Sequence, residues 1–599
     1  MNNKNDLLQR IEEIERELAL LPPGSIGTKT IGDNKYYYHR YYKNGKRSED
    51  YVAFENVEEL RSLIERRKAL EKELKELKKT LPQTKPIKKS GNFHKFATNV
   101  RIGEQLKKYT EIVADYKKRE CYSTLHDYIY GAAQDKIFIL FGLRRTGKTT
   151  LIRQIIFNMT NAQLDKTAFI QIRFGNTLSD INSDLNYLEK QGYKYVFIDE
   201  VTLMEDFIEG AALFSDIYAS SGMRIVLSGT DSLGFVFSES EQLYDRCIML
   251  HTTFIPYREF ENILGIKGID KYIQYGGTMS ISGKNYNKDS TFANKANADE
   301  YVNTAIANNI QHSLEYYQDG NHFRQLYDLF KKGELTGAIN RVVADITHRF
   351  TVDVLTKTFK SQDLSISTRN LLKDRDNPID LNMIIDKELV TKSIKEALEI
   401  LNKEEQSVDI NEAHAYQIEE YLMLLDLVMK VDLLHFPNVN QKDKKTIISQ
   451  PGLRYAQAEA LVNSLLLDES FIALSIEQRH GILERILSEI KGRMMEDVVL
   501  LETQLANPNK QVFQLQFAVG EFDMVVHDPI HLTCEIYEIK HSEQHVPEQY
   551  KNLINEKNCK DTEHRFGKIT NKYVIYRGKN TQSDGIKYLN VETYLKKLK

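Results

Sequence analysis

The sequence predicts a multi-domain α/β protein organised around a P-loop sheet. Three observations carry that expectation. Residues 136–153 read KIFILFGLRRTGKTTLIR, an apolar β-favouring run followed by a glycine loop and a helical pattern. Residues 195–198 form another apolar run, which ends in Asp199-Glu200. Towards the C-terminus, strand-like runs bring Asp523 and the triplet Glu538-Ile539-Lys540 into one α/β pattern.

The chain has 599 residues, so three or four domains are expected. Its net charge of −4 excludes polyelectrolyte behaviour, and any nucleic-acid surface has to be local. Cys121, Cys247, Cys534 and Cys559 lie far apart with no C-x-x-C pair, which argues against a zinc ribbon or a disulfide framework. The start, MNNKNDLLQR, has no signal-peptide pattern. No apolar run approaches the roughly 20 residues that a membrane helix needs. A soluble, cytoplasmic protein with no membrane partner is expected.

Residues 1–81 read as an arm. Leu7, Ile11, Ile14, Leu18 and Leu21 step by four and three, as do Leu60, Leu63, Arg67, Leu70, Leu74, Leu77 and Leu81, so two heptad helices are expected. Between them, residues 35–42, Asn44-Gly45 and residues 46–52 read as a β-hairpin closed by a type I′ turn. Tyr36, Tyr37, Tyr38, Tyr41 and Tyr42 interleave with Lys35, His39, Arg40, Lys43, Lys46 and Arg47. Aromatic rings stack on bases and cations meet phosphates, so this tip is a candidate DNA contact. Residues 61–90 add eleven Lys or Arg against four Glu. Two other readings use the same residues. Half the tyrosines can form the small sheet's core with the charges as a solvated face, or the coiled coil can be a dimerisation arm of a homo-oligomer. Residues 1–80 also resemble a small tyrosine-rich domain found in bacterial mobile-element proteins. Prolines, a Ser-Gly and basic residues mark 82–108 as a linker.

Residues 109–257 are expected to form the ATPase. Gly142-Leu-Arg-Arg145-Thr146-Gly147-Lys148-Thr149 is G-x-x-x-x-G-K-T in its required context of strand, loop and helix. The glycines let backbone N–H groups approach the phosphates of ATP, and the helix N-terminus adds partial positive charge. Arg145, Thr146 and Thr150 complete the loop. Lys148 is placed to reach the β- and γ-phosphates, and the Thr149 hydroxyl to ligate Mg²⁺. Asp199 would hold Mg²⁺ through water, and Glu200 would orient or deprotonate the attacking water. Ser228 follows a further strand, 224–227, at a position suited to sensing the γ-phosphate. Arg246 is a candidate arginine finger, acting in cis or from a neighbouring subunit; a structural ion pair is the alternative.

GLRRTGKTTL, YVFIDEV, VLSGT, the segment from LYDR to PYREF, and YIQYGGTMS together resemble the archaeal-type AAA ATPases of bacteria and archaea. The resemblance covers residues 109–599. It implies an ASCE-type sheet with the Walker B strand between other strands. It also implies a helical or winged-helix region after the ATPase and a nuclease-like C-terminal domain. Residues 258–480 show mainly helical periodicity and carry no motif of their own.

Residues 481–599 carry chemistry again. A helical run over 484–505 precedes strands at 512–517, from Gly520, and at 533–540. Residues i and i+2 of a strand share a face, so Glu538 and Lys540 project together. Asp523, on the adjacent strand, would complete a hard-oxygen site for Mg²⁺ or Mn²⁺. Lys540 would orient the hydrolytic water. This matches the PD-(D/E)XK nuclease pattern, whose resemblance implies Glu496 as an accessory metal-binding acid and Gln549 as its helical glutamine. His541 and His545 are four apart but lack a third ligand, so zinc is set aside.

The leading expectation is an ATP-dependent, metal-dependent nuclease acting on DNA, with a defence role against foreign DNA by analogy with proteins that join these two domains. One alternative is an ATP-switched nucleic-acid-binding protein whose nuclease-like domain grips without cutting. Another is a signalling ATPase whose arm recognises a protein.

Overall fold

The tyrosine-rich segment forms the central strand of a three-stranded antiparallel sheet. Its order is β1 (Ser25–Ile31), β2 (Asn34–Lys43), β3 (Lys46–Val52). The expected hairpin is therefore present, with β1 as a third strand that the residue pattern did not signal. The expected turn at Asn44-Gly45 falls outside the described residues. The computed structural model describes Ile14, residues 21–80 apart from 32–33, 44–45 and 53–55, and residues 95–598. In that last span, 133–134, 205, 231–233, 236–242, 280–291, 317–322, 361–409, 439–441, 465–471, 473–474 and 546 are not described. The chain divides into two units, Met1–His94 and Lys95–Lys599.

In the first unit, the helix Val57–Thr80 follows β3. Its inward face matches the expected one only in part. Ile64 is 4% exposed whereas Leu63 is 38% exposed, so Val57, Ile64 and Leu70 supply the buried positions. Two adjacent apolar residues leave a heptad register ambiguous, and packing decides it. Arg67, the arginine in the expected seam, donates from Nη1 to the Leu21 carbonyl at 2.6 Å. Apart from Ile14 and Leu21, the first heptad helix lies outside the described residues.

The second unit opens with a sheet of six strands. Its order is β4 (Asn99–Ile102), β6 (Thr167–Gln171), β7 (Tyr195–Asp199), β8 (Arg224–Gly229), β5 (Ile137–Gly142), β9 (Cys247–Thr252). All neighbours are parallel except β4, which pairs antiparallel with β6. Every residue of β5 is buried, as a central parallel strand covered on both faces requires. Ile137, Ile139 and Phe141 enter one core while Phe138 and Leu140 enter the other, the period-2 alternation of a strand. The Walker B strand β7 lies between β6 and β8, in agreement with the expected sheet. The expected linker is shorter than 82–108: β4 belongs to the sheet, and the helix Gly103–Thr110 follows it. Asp184 fixes this entry by accepting from Ala97 N, Thr98 N and Thr98 Oγ1 at 2.9, 2.8 and 2.6 Å. A strand of four residues is too short a run to stand out from the polar segment before it.

Past β9 the chain is helical over Tyr257–Leu264, Ile269–Tyr275, Lys295–Tyr301, Asn308–Tyr316, Arg324–Lys332, Leu335–Lys360 and Glu412–Leu424. The expected helical region does not extend to 480. Strands β10 (Val428–His435) and β11 (Lys442–Ile448) join an eight-stranded sheet of order β11-β10-β12-β13-β14-β15-β17-β16. Its other strands are β12 (Gln511–Gln516), β13 (Glu521–Asp528), β14 (Thr533–Lys540), β15 (Lys568–Tyr576), β16 (Thr581–Ser583) and β17 (Ile586–Asn590). A 31-residue helix, Ile476–Ala506, precedes β12, and the helix Glu556–Phe566 stands between β14 and β15. Strands β12, β13 and β14 are antiparallel, and β15 runs parallel to β14. Phe254, Tyr257, Phe260, Tyr272 and Ile273 share one apolar core with Ile486, Met495, Val499 and Met524. The segment leaving the ATPase sheet therefore packs directly on the C-terminal sheet and its long helix. Among the described residues, no helix is long and apolar enough to cross a membrane.

Candidate functional site

The P-loop follows β5 and closes onto the helix Lys148–Phe157. Gly142 has φ +134°, and a Cβ there would stand 2.3 Å from the Thr252 carbonyl oxygen, so only glycine fits. Gly147 caps the helix at φ +93°. Lys148 Nζ donates to the carbonyls of Gly142 and Leu143, both at 2.8 Å. Burial pulls its pKa down to about 8, against the opposing pull of Glu200 and Asp199. Phosphate oxygens would replace those carbonyls and hold the ammonium charged. Thr146 braces the loop instead of facing outward: its buried Oγ1 donates to Leu143 O at 2.8 Å and meets Thr252 Oγ1 at 2.9 Å. Arg145, at φ +65°, accepts at its carbonyl from Met279 N at 2.9 Å. Thr150 follows on the first helical turn, half-buried.

Parallel pairing of β7 with β8 sets Asp199 beside Ser228. The Ser228 hydroxyl donates to Asp199 Oδ1, and Thr149 Oγ1 donates to Asp199 Oδ2 at 2.9 Å. Thr149 and Asp199 thus meet across the loop, and their oxygens suit a hard cation such as Mg²⁺. Ser228 orients Asp199. Thr230, two residues on, donates to Glu200 Oε2 at 3.3 Å. Glu200 itself sits at φ +60°, a left-handed turn at the strand end. Burial first, then the charge of Asp199, raises its pKa, which favours a carboxylate able to take a proton.

Arg246 does not serve this site in cis. Its carbonyl accepts from Ile137 N, at the end of β5 opposite the P-loop, and its guanidinium pairs with Asp216 at 3.2 Å. A six-residue strand of roughly 3.3 Å per residue separates it from the phosphates. Arg119, absent from the expected set, does reach the loop. Nη1 donates to Thr146 O at 2.8 Å and Nε to Glu259 Oε2 at 2.6 Å. It stands in the run YKKRE, where nothing in the spacing distinguishes it.

A second cluster lies on β13 and β14. Lys540 Nζ stands 2.9 Å from Asp523 Oδ2 and 2.6 Å from Glu538 Oε2. Ile539 N also donates to Asp523 at 2.7 Å. Asn552, which sequence reasoning missed, donates from Nδ2 to Glu538 Oε1 at 2.9 Å. Burial opposes the charge on Asp523, but Lys540 and the Ile539 N–H outweigh it and hold its pKa down. Burial and Asp523 push Glu538 up to about 8. Lys540 is held well above its ordinary value, its own burial being overcome by Asp523 and Glu538.

Glu496 lies beside them, near enough for the charges of Asp523 and Lys540 to act on it. Arg493, one helical turn before it, takes its carboxylate at 2.7 Å. Among the described residues, no three His, Cys, Asp or Glu side chains stand together as a metal site. The pair Asp523 and Glu538 still fits Mg²⁺, which is commonly held by one or two carboxylates with waters and substrate phosphates. Gln549 lies in the short turn Pro547–Tyr550, not in a long helix, and donates to Gln544 O at 2.7 Å. His541 and His545 part company: the first pairs with Asp270 at 2.6 Å and the second packs on Tyr588.

In the arm, Tyr37 and Tyr38 are half-buried on β2, and Arg40 Nε pairs with Glu49 at 2.9 Å. These contacts favour a partly structural role for the tip, with Lys35 exposed.

A family profile described as an AAA domain matches residues 134–261. A second, described as a domain of unknown function (DUF6788), matches residues 4–62. No curated protein matches the chain. Among solved structures the chain is similar to the Aeropyrum pernix Orc1 protein in complex with DNA. The identity is 13%, over 61% of this chain and 92% of that one, with a TM-score of 0.19, too loose an overlay to carry an argument. The central module is an AAA-type P-loop ATPase, an ATP hydrolase by motif and by sheet order.

Proposed function

We propose that the chain is an ATP-driven, metal-dependent nuclease acting on DNA, in which the AAA module governs a PD-(D/E)XK-type centre. One observation supports it above all: Asp523, Glu538 and Lys540 converge on adjacent strands within a helix–three-strand–helix–strand order. Asp523 and Glu538 would hold Mg²⁺ or Mn²⁺, which supplies charge stabilisation at a phosphodiester. Lys540 orients the attacking water, and Asn552 keeps the Glu538 carboxylate turned inward.

At the ATP site, Lys148 exchanges its carbonyl partners for phosphate oxygens. Thr149 and Asp199 would hold a magnesium ion, and Glu200 would accept a proton from the attacking water. A chain of contacts leads from the P-loop to the long helix beside the second centre. Arg119 ties the Thr146 carbonyl to Glu259 on the helix Tyr257–Leu264, and Tyr257 N donates to Glu502 Oε1 at 2.8 Å. Glu502 lies on the long helix that also carries Glu496.

A grip-without-cutting reading draws on the same cluster, because Lys540 already pairs with both carboxylates. Incubating the protein with linear, circular and single-stranded DNA, with and without ATP and Mg²⁺, separates the two. Metal-dependent cleavage lost in Asp523→Ala supports the nuclease, and DNA binding without cleavage supports the grip.

A further inference from the structure

On the helix Tyr122–Tyr130, Leu125, Tyr128 and Ile129 face the core. Tyr122, His126 and Tyr130, each four residues apart, form a line along the flank of that buried face. Their ring centroids are 6.1 and 4.6 Å apart, with planes inclined by 32° and 54°. Lys118 Nζ stands 4.2 Å from the Tyr122 ring centre. Asn158 and Gln163 complete the other wall of a groove of about 330 Å³. Asn158 uses its Nδ2 on Gln154 O, and Gln163 uses its Oε1 on Thr160, which leaves Asn158 Oδ1 and Gln163 Nε2 for a ligand. Tyr130 is 38% exposed and Lys118 is exposed.

This groove is separate from the ATP site. Asn158 lies beyond the far end of the ten-residue P-loop helix, roughly 15 Å along its axis. An inclined aromatic ladder beside a lysine, faced by two amides, has the composition of a base-stacking platform for single strands. Its volume is at the low end of ligand pockets, about 300–1,000 Å³, and so suits one base at a time.

We infer that the groove formed by Lys118, Tyr122, His126, Tyr130, Asn158 and Gln163 binds single-stranded DNA, a base stacking on the aromatic ladder and Lys118 meeting an adjacent phosphate. The inference rests on the reading of the chain as DNA-acting.

The test uses the full chain with an oligodeoxythymidine carrying one 5-iodouracil. Ultraviolet cross-linking followed by peptide mapping, and fluorescence anisotropy with the same strand, are read together. A cross-link within residues 118–130 is expected. Tyr122→Ala with Tyr130→Ala should remove it and weaken binding by roughly tenfold or more, with basal ATPase activity unchanged. Tyr122→Phe with Tyr130→Phe should retain both. If the alanine pair fails to fold, Lys118→Glu serves instead, with weaker binding expected and unchanged affinity counting against the groove. Wild-type binding with cross-links only elsewhere, and equal affinity in the alanine pair, would overturn the groove and leave the DNA-acting reading standing. A wild type that binds no DNA at all overturns both.

Discussion

Arg119 and Glu259 form a buried ion pair that joins the P-loop to the helix leaving the ATPase sheet. Nε and Oε2 are 2.6 Å apart, and each side chain is 6% exposed. A pair so placed costs desolvation, but removing one partner strands the other charge. Arg119→Met or Glu259→Leu should therefore destabilise the second unit by about 3–5 kcal/mol. The apolar double replacement should recover much of that loss, because it strands neither charge. Thermal unfolding of the three variants checks the cycle, and full additivity of the two single losses would show that the pair does not act as a unit.

The ATP site makes its own prediction. Lys148→Ala should nearly abolish nucleotide turnover. Glu200→Gln should keep ATP binding and slow hydrolysis by roughly 10²-fold or more, since it removes the proton-accepting carboxylate. Thr230→Val, which deletes the donor to Glu200, should change the hydrolysis rate and leave the Kd for ATP alone. Steady-state turnover beside equilibrium nucleotide binding distinguishes these three outcomes.

For the C-terminal cluster, pH supplies the discriminating measurement. Glu538 must be ionised to hold a cation, and without one its pKa lies near 8. Metal affinity and cleavage should therefore rise as pH climbs towards about 8 and level off above it. Asn552 donates to the ionised form and lowers this pKa, so Asn552→Ala should move the midpoint upward. A profile that stays flat from about pH 6 to about pH 9 would assign the metal to other residues.

Coupling between the sites is testable through cleavage alone. Asp523→Ala and Lys540→Ala should abolish cutting while ATPase activity survives. If Arg119, Glu259 and the Tyr257–Glu502 bond carry the signal, Glu502→Leu, which removes the acceptor, should make cleavage less dependent on nucleotide without altering ATP turnover. Equal cleavage by wild type and Lys148→Ala in ATP, in ADP and without nucleotide would show that the two sites act independently.

The arm is checked by salt. Replacing Arg40, Lys43, Lys46 and Arg47 together should weaken DNA binding and flatten its salt dependence. The log–log slope should fall by about 0.9 for each duplex phosphate that the variant no longer neutralises. Arg40 should contribute least, because Glu49 already pairs with it. An unchanged slope would turn attention to dimerisation, read from the oligomeric state after deletion of residues 1–81.

Much of the ATPase was legible because its chemistry is local. The P-loop needs a glycine at two left-handed positions, a lysine and a threonine in one turn, and these stand consecutively from Gly142 to Thr149. The Walker B pair is likewise a strand end read in place. The C-terminal triplet was legible for the same reason, since a strand's period of two sets Glu538 beside Lys540 before any tertiary contact forms.

What lay beyond the sequence depends on which strand or helix becomes a neighbour. Arg246 had the right identity, but parallel pairing of β9 with β5 sets it at the end of the sheet away from its own P-loop, which excludes the role in cis. Glu496 lies on the expected helix and near Asp523 and Lys540, but its pairing with Arg493 one turn away was not legible. Arg119 and Asn552 lie far in sequence from the groups they serve, 140 residues from Glu259 and 14 from Glu538. Strands β10 and β11, set among helices, join the C-terminal sheet only through the pairing of β10 with β12. Local composition determined the P-loop, the Walker B pair and the Glu538–Lys540 face of this protein. Side-chain partnership across a packed core decided the rest, because one residue's charge or hydroxyl acquires a role only when burial gives it a single neighbour to satisfy.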